Sequence, residues 1–405
     1  MLAPFGIRPK GTLAVRMLPL AQALVRRGHS VRIVAPPVHN PQDAGTCVDY
    51  AGVPVTHIPL PSLPGPAGTL QVVIALLRQA LHPRPDLLHL FKPKGYSGLA
   101  ALLARQLYPT VPLIVDTDDW EGWGGWNDLL PYPRIAKTVF AWQERDLPRR
   151  ANAVTVASRT LETQIWGFGV PPAQVFYLPN GVLQSDNEHL TRNPDARATG
   201  TTSHHPTLLL YTRFWEFDLR DLIVALVAIV AQVPKVRLLV VGRGERGEEV
   251  ELLHLARRAG IAETIDYRGW VEPQEIPALL AAADIALVPL DDTLINRARC
   301  SVKLLELMAA GLPVVAGRVG QVSEYIEDRQ SGLLVPPSDP AALARATLLM
   351  LQDTDLRQQL SSAARAVVKT FTWEQLAPVA EQAYQHVADR HRLPDYLSKT
   401  DQPFS

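Results

Sequence analysis

The chain is 405 residues long, 47% hydrophobic and 20% charged, which fits two globular domains and excludes a disordered or fibrous class. Its 40 Lys and Arg balance 40 Asp and Glu, so bulk nucleic-acid binding has no electrostatic support. The 2 cysteines, Cys47 and Cys300, are too few for a disulfide framework or a cysteine-built zinc site and read as buried or idle thiols.

The opening Met1-Leu-Ala-Pro-Phe-Gly has no charged region of a secretory signal. The longest apolar run, Ile223 to Val233, is far short of the ~20 residues of a membrane span. A cytoplasmic protein is expected, with peripheral contact at the inner membrane face as the alternative.

Taken in chain order, Leu13, Met17, Leu20 and Leu24 recur at helical spacing over Thr12–Arg27, and Gly28 stands where a helix stops. Ser30–Ala35 follows as a strand. The alternation continues with a helix at Thr69–Leu81, a strand at Leu87–Leu90, a helix at Gly98–Leu107 and a strand at Leu113–Val115. A helix at Ile135–Leu147 and a strand at Ala153–Ala157 close this half. Nearly continuous apolar strands between helices predict a parallel sheet covered on both faces.

The stretch Leu183–Pro206 is polar and aperiodic, and reads as a linker; His204 and His205 within it have no third metal ligand nearby. The alternation then restarts. Strands are expected at Leu208–Tyr211, Val236–Val241, Ile265–Tyr267, Ile285–Val288, Pro313–Ala316 and Gly332–Val335, with helices including Asp221–Val233 and Glu249–Ala259. The expected organisation is a first Rossmann-like domain over 1–185, a linker over 186–206, a second over 207–371, and a helical segment over 372–405 that crosses back to the first. Ligands of such doubly wound sheets bind at the carboxyl ends of the strands.

Several short patterns carry chemistry, each with a bland alternative. Gly242-Arg-Gly244-Glu-Arg-Gly247 fits the dinucleotide fingerprint, but follows the second strand of its domain rather than the first; a tight glycine turn explains it as well. Gly6-Ile-Arg-Pro-Lys-Gly11-Thr12 resembles a phosphate loop without the lysine after its second glycine. Amides near Gly11 and Thr12 can still face an anion.

Asp116-Thr-Asp118-Asp119 looks like a cation-binding carboxylate set, with Asp116 and Asp118 on one strand face; hydrogen bonds to neighbours or to substrate hydroxyls are the other reading. Trp120, Trp123 and Trp126 stand among glycines, either as sugar-stacking faces or as loop anchors. Lys92 and Lys94 follow a strand and face either a phosphate or solvent.

The most informative segment is Ser301-Val-Lys-Leu-Leu-Glu306-Leu-Met-Ala-Ala-Gly311-Leu-Pro313. With Ser301 as N-cap, the amides of Val302, Lys303 and Leu304 form an anion site at a helix N-terminus. Glu306, little over one turn on, can accept hydrogen bonds from a vicinal diol such as a ribose. A surface glutamate is the alternative.

This segment resembles the donor helix of the GT-B retaining glycosyltransferases of the family 4 group. Tyr211-Thr-Arg213-Phe, Leu239-Val-Val-Gly242, Tyr267-Arg-Gly269-Trp270-Val271, Gly320-x-x-Ser-Glu324 and Pro179-Asn180-Gly181 resemble other family stretches in the same order, so the likeness spans nearly the whole chain. It implies two Rossmann-like domains, a nucleoside-diphosphate (NDP) sugar donor on the second and a sugar-containing or lipid acceptor on the first. It also implies transfer with retention, no metal, and no cofactor beyond the donor.

By resemblance, Arg213 meets the diphosphate, Gly242 and Gly244 form the donor turn, Trp270 and the Val271 main chain meet the base, and Glu306 the ribose. Gly11 and Thr12 also fall to the donor, Asp118 and Asp119 orient acceptor or sugar, and Trp120, Trp123, Lys92 and Lys94 line the acceptor side. Ala298 stands where the family often has a donor-sugar Glu, and Asp218 where it usually has a Lys. Asn296, Arg297, Arg299, Lys303 and Arg220 are the candidates to substitute at these two departures. A non-catalytic nucleotide-sugar-binding relative and a dinucleotide oxidoreductase are the rival readings. A monomer or a dimer fits equally.

Overall fold

A computed structural model describes residues 1–8, 11–183 and 205–391. Its contacts divide the chain into two units, the first made of Met1–Asn180, Ala298–Cys300 and the C-terminal segment from Trp373, the second of Gly181–Arg297 and Ser301–Thr372.

In the first unit, strands β1 (Ile33–Ala35), β2 (Cys47–Tyr50) and β3 (Val53–His57) form one group in the order β1-β3-β2. Strands β4 (Leu88–Phe91), β5 (Leu113–Thr117), β6 (Ala153–Val156) and β7 (Val175–Tyr177) form another, in sequential order. Leu2 bridges the two, pairing in parallel with Val34 on one side and Leu90 on the other. All pairings are parallel except β2 with β3. The antiparallel pair turns through Ala51 and Gly52, both at positive φ, a geometry that a tight hairpin needs and that Ala does not advertise. It was not expected, nor were β7 and the pairing at Leu2.

Helix α1 (Leu18–Arg26) is preceded by a wider π turn at Leu13–Met17. Pro19, in the first turn of α1, has no N–H to donate, which interrupts the regular ladder there. Helices α2 (Gly65–Leu81), α3 (Gly95–Leu107) and α4 (Arg134–Arg150) follow. The core gathers Leu76, Leu90, Ala100, Val115 and Leu147 between sheet and helices. The C-terminal helix Trp373–His391 belongs to this unit, with Trp373 fully buried. On the surface, Glu381 accepts from Arg27 through both oxygens and lies 2.9 Å from His29.

The second unit is a six-stranded sheet in the order β10-β9-β8-β11-β12-β13, comprising β8 (Thr207–Tyr211), β9 (Arg237–Val241), β10 (Ile265–Gly269), β11 (Ile285–Val288), β12 (Val314–Gly317) and β13 (Leu333–Val335). Every pairing is parallel. The chain starts in the middle, winds outward one way and returns to wind the other, which is the doubly wound order with its switch point beside β8. Helix α5 (Leu219–Gln232) buries Leu222, Ile223, Leu226 and Ile229 against the sheet. Asp218 caps it, its carboxylate accepting from the Arg220 amide at 2.8 Å. The residue replacing the family's lysine is thus a helix cap. Of the expected linker, residues 186–204, including His204, lie outside the described residues, as do Pro9, Lys10 and the tail beyond 391.

Candidate active site

In the first unit the strand ends carry a buried array of charges. Lys92 follows β4 with a left-handed φ of 53°, a conformation that costs a non-glycine residue ~1–3 kcal/mol and persists only where surroundings enforce it. Its ammonium lies 2.9 Å from Asp119, 3.0 Å from Glu121 and 3.5 Å from Asp118. Lys94 lies 2.8 Å from Glu121 and over the rings of Phe5, Tyr132 and Phe140 at 5.1–5.7 Å. Lys92 and Lys94 are only 6% and 5% exposed, so the solvated-loop reading is overturned: apolar surroundings leave carboxylates as their main charge partners.

Electrostatics follow from this packing. Burial works against a charged Lys92, yet Asp118, Asp119 and Glu121 raise its pKa well above the ordinary lysine value. Burial alone would raise Glu121, but Lys92 and Lys94 pull it below the usual carboxylate range. Asp119 is raised, by burial first and by its acidic neighbours against the pull of Lys92. Glu144, buried on α4, is raised well above the usual range, by burial and then by Glu121.

Asp116, in β5, and Asp118, just past its end, both reach the first helical segment. Asp116 accepts from Arg16 Nε at 2.7 Å and Nη2 at 2.6 Å, while Asp118 accepts from the Thr12 hydroxyl at 2.9 Å. Arg16 and Asp116 are both fully buried. Arg16 also donates to Asn180 Oδ1 at 2.9 Å and to the Leu178 carbonyl at 2.8 Å, and Thr155 donates to Asp116 at 2.5 Å. Asp116 is therefore engaged within the protein. Thr12 is likewise tied to Asp118, and Gly11 is exposed at the entry of the π turn.

The tryptophan loop is folded around Trp120. A Cβ on Gly122 or Gly125 would lie 2.4–2.6 Å from its ring, and its indole N–H donates to the Trp123 carbonyl at 2.9 Å. Trp120 anchors the loop, whereas Trp123 is exposed.

In the second unit the candidate side chains stand at the ends of β8, β9 and β10. After β8, the Thr212 hydroxyl donates to Glu216 at 2.9 Å and accepts from the Phe214 amide at 2.7 Å, closing a tight turn with Phe214 at φ 70°. Arg213 rides on this turn, exposed, with Nη2 donating to Glu245 at 2.5 Å. Exposed pairs of this kind are worth ~0–1 kcal/mol. Gly242 has φ 127° and a Cβ there would meet the Thr212 carbonyl at 1.8 Å, so the glycine serves the close approach of β9 to β8.

The remaining fingerprint positions argue against a dinucleotide. The amides of Gly244 and Arg246 donate to Glu249 and Glu248, and Glu248, Glu249 and Glu251 crowd the first turn of the following helix. Acids already hold the end where a pyrophosphate would sit, which does not favour the oxidoreductase reading.

Helix α6 (Val302–Ala309) begins at Ser301, which occupies the N-cap position without a side-chain capping bond. Lys303 Nζ lies over the Tyr211 ring at 4.3 Å. Burial and then Glu306 push the Tyr211 phenol above its usual value. Tyr211, Arg213, Lys303 and Glu306 thus come from the end of the central strand and the first turns of α6, a grouping in which Tyr211 was not expected. Val302 is half-buried and Leu304 buried. Trp270 is 63% exposed after β10, and Val271 follows it half-buried. Of the candidate substitutes, Asn296 is buried and donates to the carbonyls of Glu216 and Asp291, Arg297 pairs with Asp292, and Lys303 lies over the Tyr211 ring. Ala298 is fully buried in the first unit, its carbonyl accepting from Ser158. Sequence reading missed Arg16, Glu121 and Glu144 because charged residues in helices and loops ordinarily read as solvated.

Among the described residues, no helix is long and apolar enough to cross a membrane.

Comparison with known proteins agrees with this layout. Residues 11–181 match the profile of the glycosyl transferase 4-like domain, and residues 205–353 that of the glycosyl transferases group 1. The chain is 25% identical to a phosphatidyl-myo-inositol mannosyltransferase of Mycobacterium leprae over 96% of each. It is 30% identical to a GDP-mannose-dependent alpha-(1-6)-phosphatidylinositol monomannoside mannosyltransferase of Mycobacterium tuberculosis, over 62% of this chain and 64% of that one. Its fold is similar to that of sucrose-phosphate synthase from Thermosynechococcus elongatus, with a TM-score of 0.72 at 21% identity over 96% of this chain and 99% of that one. It is also similar to HepE of Anabaena in complex with UDP and glucose, with a TM-score of 0.68 at 18% identity over 96% and 98%.

Proposed function

The chain belongs to the group 1 glycosyltransferases of the GT-B fold, and on that premise we propose that it moves a sugar from an NDP-sugar to a hydroxyl of a sugar-containing or lipid acceptor, with retention and without a metal ion. One observation carries the reading: Lys303 lies over the Tyr211 ring at the end of β8, two residues before Arg213, and Glu306 acts electrostatically on the same phenol. This grouping offers cations for a diphosphate and a carboxylate for ribose hydroxyls.

The reaction needs little else from the protein. The bond from the sugar's anomeric carbon to the diphosphate breaks, and a new bond forms from the acceptor oxygen on the same face. The acceptor proton passes to the leaving phosphate. Arg213 and Lys303 stabilise the charge that grows on that phosphate, and the α6 amides add to it. Asp118 and Asp119 orient the acceptor.

Two relatives are named as mannosyltransferases, one of them GDP-mannose-dependent, so GDP-mannose heads the donor panel. UDP-glucose, ADP-glucose and NADH complete it, read by thermal shift, since a ligand that binds the native state raises its stability. An NDP-sugar should stabilise the protein and NADH should not. Glu306→Ala should weaken donor binding by ~1.5–3 kcal/mol, the range for hydrogen bonds to charged groups. Unchanged affinity in the folded variant would remove Glu306 from the site. Transfer should persist in EDTA; activity abolished by chelation and restored by Mg²⁺ or Mn²⁺ would return the metal role to the aspartates.

A further inference from the structure

Helix α4 turns one face inward and one face outward. The inner face is fixed: Gln143 accepts from the Gly95 amide at 2.7 Å and donates back to the Gly95 carbonyl at 3.0 Å, and Glu144 and Leu147 are buried beside it. Opposite them, Ile135, Thr138, Trp142, Arg145 and Arg149 are exposed. Their spacing of three and four residues places them on one line along the helix, ~20 Å long at 1.5 Å per residue. Ile135 is 81% exposed and Trp142 37%, and the Arg145 and Arg149 side chains are 55% and 50% exposed. Arg134 and Arg150, at the two ends of the helix, are exposed as well.

The acids of α4 do not balance these cations. Glu144 belongs to the inner face. Asp146 is buried, with its carboxylate between Arg145 at 2.8 Å and Arg149 at 3.6 Å. One acid thus faces two arginines, and the outer line keeps a net positive charge. A single exposed apolar side chain is ordinary on a protein surface. An isoleucine and an indole in line with arginines are a different combination, because indole rings and long cationic side chains are both at home where hydrocarbon meets polar headgroups. A row of this length exceeds the reach of one small anion and matches a plane of phosphates. Ile135 gains nothing against a phosphate backbone, whereas the boundary between headgroups and acyl chains buries it.

We propose that the outer face of α4 docks on an anionic phospholipid surface, with Ile135 and Trp142 entering the headgroup boundary and Arg134, Arg145, Arg149 and Arg150 meeting lipid phosphates. The proposal goes beyond the glycosyl-transfer reading and does not depend on it. It adds to that reading a way of presenting a lipid acceptor. Gln143 fixes α4 to Gly95, the residue after Lys94 of the buried charge array. The docked helix therefore holds the strand ends of this unit within about one helix diameter, ~10 Å, of the lipid headgroups. The arginines are exposed, so the attachment is reversible and weakens with salt.

The test is vesicle sedimentation of the full chain, with neither sugar donor nor acceptor present. Phosphatidylcholine vesicles containing about 30% phosphatidylglycerol should bind at least about tenfold more tightly than phosphatidylcholine alone, and the preference should shrink as salt rises. Arg145→Gln combined with Arg149→Gln should weaken binding to the anionic vesicles about thirtyfold, at about fivefold per basic residue near the surface. The same exchange at Arg257 and Arg258, exposed arginines of the second unit, should change it by less than about twofold. Ile135→Ser combined with Trp142→Ser should lower the binding that persists at high salt about tenfold. Melting temperatures check that each variant is folded, and Ile135→Ser alone replaces the pair if Trp142→Ser unfolds the protein. No preference for anionic vesicles overturns the proposal, as does an equal loss from the exchange at Arg257 and Arg258. Full binding by the Ile135 variants overturns it in favour of a soluble polyanion, and so does release of the protein from vesicles by a duplex oligonucleotide at equal phosphate concentration. All these outcomes leave the glycosyl-transfer reading standing, since that reading fails only where no NDP-sugar binds or is turned over.

Discussion

The two units solve the same architectural problem and treat charge at their strand ends in opposite ways. Each places a non-glycine residue in left-handed backbone just past a strand, Lys92 directly after β4 and Phe214 three residues after the end of β8. In the first unit the strained residue is itself a buried cation enclosed by carboxylates. In the second, Phe214 is buried as an apolar peg and the exposed neighbour Arg213 carries the charge. Buried, mutually neutralised charges fix geometry at the expense of availability. Exposed ones are available and contribute little to stability. The first edge is therefore fixed by its own ion pairs, whereas the Arg213–Glu245 pair of the second adds little to stability.

The comparison breaks most severely at Arg16. Arg16→Met leaves Asp116 charged and buried with Thr155 as its remaining donor, and should cost ~3–5 kcal/mol in urea unfolding. Arg16→Met combined with Asp116→Leu should recover much of that loss, because no unpaired buried charge is left behind. A single substitution costing under 1 kcal/mol would show that the pair does not anchor this unit.

Arg213→Ala sharpens the contrast from the other side. Unfolding free energy should change by no more than ~0.5 kcal/mol, as for an exposed residue, while kcat should fall ~100-fold or more, the effect of removing one preorganised donor to developing charge. An effect confined to KM would make Arg213 a ground-state binder.

The smallest expected effect concerns Glu144. Its folded pKa is raised well above the unfolded value, chiefly by burial, so the folded state holds this proton more tightly than the unfolded chain does. Stability from this group is full below the unfolded pKa and is lost as pH rises toward the folded pKa. Glu144→Gln removes the titration, and its Tm should gain on that of the unaltered protein as pH rises from 5 to 8. A constant Tm difference across that range would show that Glu144 does not titrate on folding.

Much of this protein was legible in order along the chain. The apolar runs predicted β11 at its observed bounds and most other strands to within a residue or two, because period and burial are local properties of a doubly wound sheet. The N-terminal position of Ser301 was legible too, although its hydroxyl makes no cap bond. The hairpin through Ala51 was not, since nothing in Ala-Gly announces a left-handed turn. Trp120 was ambiguous because its role depends on Gly122 and Gly125 lying beneath its ring.

The sequence by itself determined the succession of strands and helices and the tight glycine turn after β9. The tertiary structure alone decided which charges are spent and which are offered. Arg16 and Asp116 lie 100 residues apart, Lys92 and Asp119 27. A charged side chain reads as solvated until folding removes water from it. Its pKa, reach and partners are then set by whatever the fold packs against it, and local periodicity carries no record of that neighbour.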